Sequence, residues 1–288
     1  MRTIVILTLY GLIIFSCSYV ALTQRRSSDT ATARQEVVAT RRIPFKFRAE
    51  DFGEATVMEE KKEVAEPDNQ PSMPFDAPEH KCYGLEEKRP LPALEKGARY
   101  FFPAYSVVCI VPTSDETEKD FATAYPNFGN AVEQTKTLLK TRPKEFRQFD
   151  DIFDFPYNNA GWAFKTKVSY LDCDKLSGVF FVTQYTQDMT PTPANNEELT
   201  ANFQGITHDG KYYVAARFSV THPSLPRGID FTDGRQVEYA LKAKTSEEVG
   251  VRVQQYLQVE ESKVSRLKDN SFRPSLPTIK KLLASIDP

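Results

Sequence analysis

The apolar positions of this chain fall into three regimes. From Ile4 to Leu22 they are nearly continuous, from there to about His80 they are sparse, and from about Cys82 onward they recur with strand and helix periods. "YSVVCIV", residues 105–111, is β-branched and aromatic and is closed by Pro112, which predicts a buried strand. Four further strand-like runs follow: "FKTKVSYLD", "GVFFVTQYTQ", "ELTANFQGIT" and "KYYVAARFSV". They are separated by "CDKLS", by the longer "DMTPTPANNE" and by "HDG", the pattern of an antiparallel meander. Because strand side chains alternate, Tyr212, Val214, Ala216, Phe218 and Val220 of the last run share one face. That face should meet the core. Lys211, Tyr213, Ala215, Arg217 and Ser219 share the other, so Val214→Asp should unfold the domain and Tyr213→Ala should be tolerated.

Helical spacing brackets the meander. Val132, Thr135, Leu138 and Leu139 follow Pro126 and Asn127 at the spacing of one helix face, and Pro143 ends the pattern. "TSEE", residues 245–248, forms a capping box with Thr245 at the cap, and Val249, Val253, Leu257, Val264 and Leu267 continue one stripe. Asn270 and Pro274 close it. A last short helix opens at Ser275 with Pro277 in its first turn and buries Ile279, Leu282, Leu283 and Ile286. The expected architecture is α+β: an antiparallel meander of about four to six strands, sandwich-like, with helices over one or both faces. Residues 81–288 form its single globular domain.

The first regime sets the compartment. Arg2, the apolar run and the small residues of "SCSYVAL" match an export signal over residues 1–17. "IIFSC" is similar to a bacterial lipobox, which would make Cys17 the lipid-bearing first residue of the mature chain; Phe15 departs from the small residue usual there. Simple secretion is the second outcome. An uncleaved anchor is the third, since the run approaches membrane-spanning length. Arg25 and Arg26 oppose translocation of the chain downstream of them, but Thr8, Gly11, Ser16 and Ser18 interrupt the run, and export is the expectation.

Residues 18–80 read as a charged tether. Residues 24–48 carry seven basic side chains against two acidic, and residues 49–80 carry ten acidic against two basic. A basic segment just after an anchor suits an anionic headgroup layer; a solvated, extended linker needs no such contact and is the simpler expectation.

Over the full chain 37 basic and 39 acidic residues leave a formal charge of −2, which gives no general attraction to nucleic acid. Four cysteines and three histidines offer little for metal chemistry, and no two cysteines stand at C-x-x-C spacing. An oxidising compartment would permit one disulfide among Cys82, Cys109 and Cys173, but burial of each as a small apolar residue is the expectation. Neither a metal nor a cofactor is expected. No P-loop, dinucleotide fingerprint, nucleophile elbow or H-E-x-x-H motif is present.

His208 precedes Asp209-Gly210, a strong hairpin signal, and reads as an exposed turn residue; His222, before Pro223 at the end of a strand, reads as a surface residue leaving the sheet. Asp150, Asp151 and Asp154 of "FDDIFDF" are the one carboxylate group that could serve catalysis, and read more simply as solvated or capping groups. Trp162 reads as a packing anchor. No catalytic residue is assigned. The candidate binding face is the second face of the meander, where Tyr213 and Arg217 project together and Gln184 and Gln204 of neighbouring strands could join them. The competing expectation is that the helix over 245–268 packs on that face.

"YLDCDKLSGVFFVTQYTQ", "FQGITHDGKYYVAARFSVTHPSLP" and "SFRPSLPTIKKLLASI" together resemble a family of exported bacterial proteins and lipoproteins with no established activity. The resemblance covers roughly residues 95–288. It implies an exported or lipid-anchored globular domain in which strands of this wording flank a Pro-Asn-Asn loop and a helix closes the chain; here "DMTPTPANNEEL" is longer and more acidic than that loop.

Two functional classes remain. One is a non-catalytic binding or structural domain at the cell envelope, held by its N-terminal lipid or anchor and recognising an envelope protein or polymer. The other is an exported hydrolase whose site is assembled from dispersed Asp, His and Tyr residues. A deep pocket pairing His208 or His222 with a carboxylate would favour the second, and a shallow aromatic face the first.

Overall fold

The computed structural model describes residues 43–47, 52, 55–60, 77–86, 106–116, 119–144, 161–186, 192–228 and 245–288. These belong to one compact unit spanning residues 42–288. Its frame is a seven-stranded antiparallel sheet: β1 (Ala55–Glu60), β2 (His80–Leu85), β3 (Ser106–Pro112), β4 (Gly161–Asp172), β5 (Leu176–Thr186), β6 (Leu199–Thr207) and β7 (Tyr212–Ser219). The spatial order is β1-β2-β3-β7-β6-β5-β4. β4 to β7 are the expected meander, and β3 closes on β7 in the middle of the sheet. The fold is α+β, with one strand more than expected.

Helices α1 (Phe121–Ala124) and α2 (Pro126–Thr141) precede the meander, and α3 (Ser246–Ser265) and α4 (Leu276–Ala284) follow it. The cap signals hold at atomic detail. Thr245 accepts from the Glu248 N–H at 3.1 Å, and Ser275 accepts from the Thr278 N–H at 3.2 Å. α3 ends at Ser265, ahead of Asn270, and a bulge in β4 meets its end. Lys167, at φ 52°, turns its ammonium onto the Ser265 and Leu267 carbonyls and the Asp269 carboxylate at 3.2, 2.7 and 2.7 Å. The orphan carbonyls of the last turn thereby gain a cationic donor.

Alternation on β7 is as the sequence predicts, but both faces are covered. Val214, Ala216, Phe218 and Val220 pack with Val253, Leu257 and Val264 of α3 and with Ile279, Leu282, Leu283 and Ile286. Tyr213 and Ala215 pack with Tyr125, Phe128 and Val132 on the α2 side. The result is three layers, with α2 on one face and α3 with α4 on the other. Gly178 and Gly205 sit opposite each other across β5 and β6. The Phe203 ring occupies the space that a Cβ at either position would need, so this pair is a slot for an aromatic ring.

The expected tether contributes to the domain. Phe45 and Phe52 are buried in the α3-side core, Phe52 against Phe218 at 5.8 Å, and β1 pairs with β2. Isolated aromatics in a polar stretch carry no period, but each can fill a core position. Cys17 and the apolar run lie outside the described residues, as do Asp150, Asp151 and Asp154. No helix among the described residues is long and apolar enough to cross a membrane.

Candidate functional site

On the α3 side, the ends of β2, β3 and β7 open into a cleft of about 590 Å³, within the range of small-ligand sites. Alternation aims Lys81, Tyr83, Ile110 and Tyr212 to this side, with Pro44 and Asp287 forming a wall. The Asp287 N–H donates to the Pro44 carbonyl at 2.7 Å, tying that wall together. Tyr83 is buried in the floor, where desolvation raises its phenol pKa. Lys81, Glu79 and Asp287 are exposed at the rim. The cleft thus combines an aromatic and aliphatic floor with charges of both signs.

The residues expected to form a binding face are placed otherwise. Gln204, Tyr213 and Arg217 do share a face, but it lies between layers: the Tyr213 ring meets Phe128 of α2 edge-on at 5.6 Å. Its hydroxyl donates to Gln204 Oε1 at 2.9 Å and lies 3.3 Å from Thr135 Oγ1. Arg217 is buried against the Tyr185 ring and donates to its hydroxyl at 3.2 Å. The helix covering this face is α2, and α3 packs on the opposite one. Tyr213 is therefore a core residue whose truncation is costly.

Gln184 lies on the other face, since it pairs with Leu199 while Thr183 pairs with Thr200. It is fully buried and braces the β5–β6 loop, accepting from the Asn195 N–H at 3.0 Å and donating to the Pro193 carbonyl at 3.0 Å. That loop is a structural hub. Asn195 caps Glu197 and Glu198 through its side-chain oxygen, and Glu260 of α3 accepts from the Ala194 N–H at 2.8 Å. The segment "PANNE" was legible as a loop; its burial was not, because polar residues that satisfy one another leave no hydrophobic signature.

Two histidines acquire serine partners. His208 is exposed at the β6–β7 tip, with its Nε2 at 3.1 Å from Ser177 Oγ. Ser177 also bonds Asp172, whose pKa is lowered first by the Arg142 guanidinium and then by that serine. The serine thus stands between acid and imidazole, whereas a relay needs the imidazole in the middle. Asp209 serves the turn, accepting from Thr207 Oγ1 at 2.7 Å and the Lys211 N–H at 3.1 Å. His222, expected at the surface, is instead buried against Phe272, with Nδ1 accepting from the Ser224 N–H at 3.2 Å and lying 2.8 Å from its hydroxyl. Nδ1 is therefore the acceptor and Nε2 carries the proton, buried and without a hydrogen-bond partner. Neither pair has the order of a nucleophile–base–acid relay.

Cys82 and Cys109 form a disulfide across β2 and β3, with Cα atoms 4.0 Å apart, and Cys173 is a free thiol. The simple burial of each cysteine gives way to this bond because the β2–β3 register puts the two directly opposite. Spacing in sequence could not reveal it, since no strand is legible over residues 80–85. His80 lies beside the pair, with its imidazole Nδ1 2.9 Å from the Pro78 carbonyl.

Comparison with protein-family models, with curated proteins and with solved structures finds no match. The class defined by the fold and the cleft is an α+β domain with helices on both faces of an antiparallel sheet.

Proposed function

We propose that the protein is an exported, lipid-anchored and non-catalytic binding domain of the cell envelope, with Cys17 as its lipidated residue and the cleft as its ligand seat. The cleft carries this reading. Its floor of Tyr83, Ile110 and Tyr212 offers apolar and π surface, and its rim of Glu79, Lys81 and Asp287 offers charges that can orient an envelope protein or polymer. The Cys82–Cys109 disulfide supports an oxidising compartment. The basic stretch after Cys17 suits an anionic membrane surface close to the anchor.

The test is co-sedimentation of the disulfide-intact protein, carrying Cys17→Ser in every sample so that no lipid holds it to the membrane, with isolated envelope fractions, comparing this parent with a Lys81→Glu, Tyr212→Ser variant. These side chains are exposed and half-buried, so the fold should survive. Retention by the parent and at least tenfold weaker retention by the variant is the expected result. Equal retention overturns the cleft as the seat, and no retention of either overturns binding at the envelope.

A further inference from the structure

His80 and Cys82 are two residues apart on β2, so they share the face covered by α2. Cys109 stands opposite Cys82 on β3. One imidazole nitrogen and both sulfurs consequently lie within 4.8 Å of one another. We propose that reduction of the Cys82–Cys109 disulfide converts these three residues into a zinc-type metal site, so that the bond acts as a gate on metal binding. His80 also lines the cleft, but the proposal depends neither on an envelope ligand being held there nor on the lipid anchor.

Three features carry it. The first is ligand type: two thiolates and an imidazole are a soft donor set that zinc accepts, with a water in the fourth position. The second is orientation. The Pro78 carbonyl can only accept, so His80 Nδ1 holds a ring proton, and Nε2 is the nitrogen through which a metal would be bound. Metal-bound histidines are commonly oriented by such a backbone carbonyl. The third is reach, because zinc bond lengths of about 2.3 Å to sulfur and about 2.0 Å to nitrogen set ligand atoms about 3.5–3.8 Å apart. The observed spread, within 4.8 Å, needs a contraction of up to about 1.3 Å, together with separation of the two sulfurs once their bond is cut.

Charge also favours the exchange. The sulfurs sit among Val107, Val111, Phe128 and Val132, where a net charge is unfavourable. Two thiolates balance a divalent cation, and the imidazole binds neutral. In the redox step a dithiol attacks the disulfide through a mixed disulfide, its two electrons and two protons pass to the protein sulfurs, and the dithiol leaves as its own disulfide. Binding of the ion then releases the two thiol protons. Cys82 and Cys109 are buried while His80 is half-exposed, so the ion and its water enter from the His80 side.

The experiment uses the full chain in detergent with Cys17→Ser and Cys173→Ser, leaving one cysteine pair, reduced anaerobically with a phosphine and titrated with Co²⁺. One equivalent should bind, with sulfur-to-cobalt charge-transfer absorption. That absorption should be abolished by prior oxidation and by added Zn²⁺. His80→Ala should weaken binding at least tenfold, and near-ultraviolet circular dichroism should show a folded chain in the metal-bound state. Absence of the absorption overturns the proposal, as does equal affinity in His80→Ala or binding only to an unfolded chain.

Discussion

Asn196 holds His222 from both sides: its side-chain oxygen accepts from the His222 N–H at 2.7 Å, and its amide donates to the His222 carbonyl at 3.2 Å. The same amide donates to the Leu225 carbonyl at 2.9 Å, and the Asn196 N–H donates to Pro226. One side chain thus fastens the β5–β6 loop to the chain leaving β7. Asn196→Ala removes three bonds to half-buried backbone groups and should cost about 2 kcal/mol in urea unfolding. A loss below about 0.5 kcal/mol would show that the loop is held by other contacts.

His222 should give the fold a pH dependence of known sign. Burial first, then the charges of Lys167 and Arg273, lowers its pKa beneath the usual 6.5. The native ring is therefore neutral where the unfolded ring binds a proton, and its contribution, full above about pH 6.5, is lost as pH falls toward the native value. The stability gap between the parent and His222→Leu, followed by chemical denaturation from pH 7.5 downward, should narrow below pH 6.5. A gap that widens has the wrong sign.

Glu198 acts in the opposite direction. Burial, with a further contribution from Glu197, raises its pKa above the usual 4.5, against the lowering effect of the Asn195 amide at 3.1 Å. Stability from this group is present below about pH 4.5 and is lost as pH rises through the native value. Glu198→Gln keeps an acceptor for Asn195 and removes the buried charge. The variant should unfold at a higher temperature than the parent at pH 7 and lose that advantage near pH 4; a lower melting temperature at pH 7 would refute the assignment.

The two faces of β7 give a direct test of layering. Val214 and Tyr213 are both fully buried, the first toward α3 and the second toward α2. Val214→Asp should prevent folding, and Tyr213→Ala should cost about 3 kcal/mol through the cavity it leaves. Full stability of Tyr213→Ala would mean that its face is open.

The sequence reading and the structure part company at particular residues. The alternation in 211–220 identified both faces of β7, because a strand period of two is read directly from apolar positions. The same rule could not show what lay on the second face. Tyr213, Ala215 and Arg217 look amphipathic in sequence, and only the position of α2 makes them interior. Thr245 and Ser275 were legible as caps since capping is local. β1 and β2 were hidden by the charged residues around them. The cleft was hidden for a different reason: Lys81, Ile110, Tyr212 and Asp287 come from four separate segments, and no local pattern joins them.

Export with lipidation at Cys17 is tested by the intact mass of the chain recovered from membrane and soluble fractions. The expected result is a membrane-associated species beginning at Cys17 and bearing two or three acyl chains. A chain that keeps Met1 and is retained with its domain in the cytoplasm would rule out export.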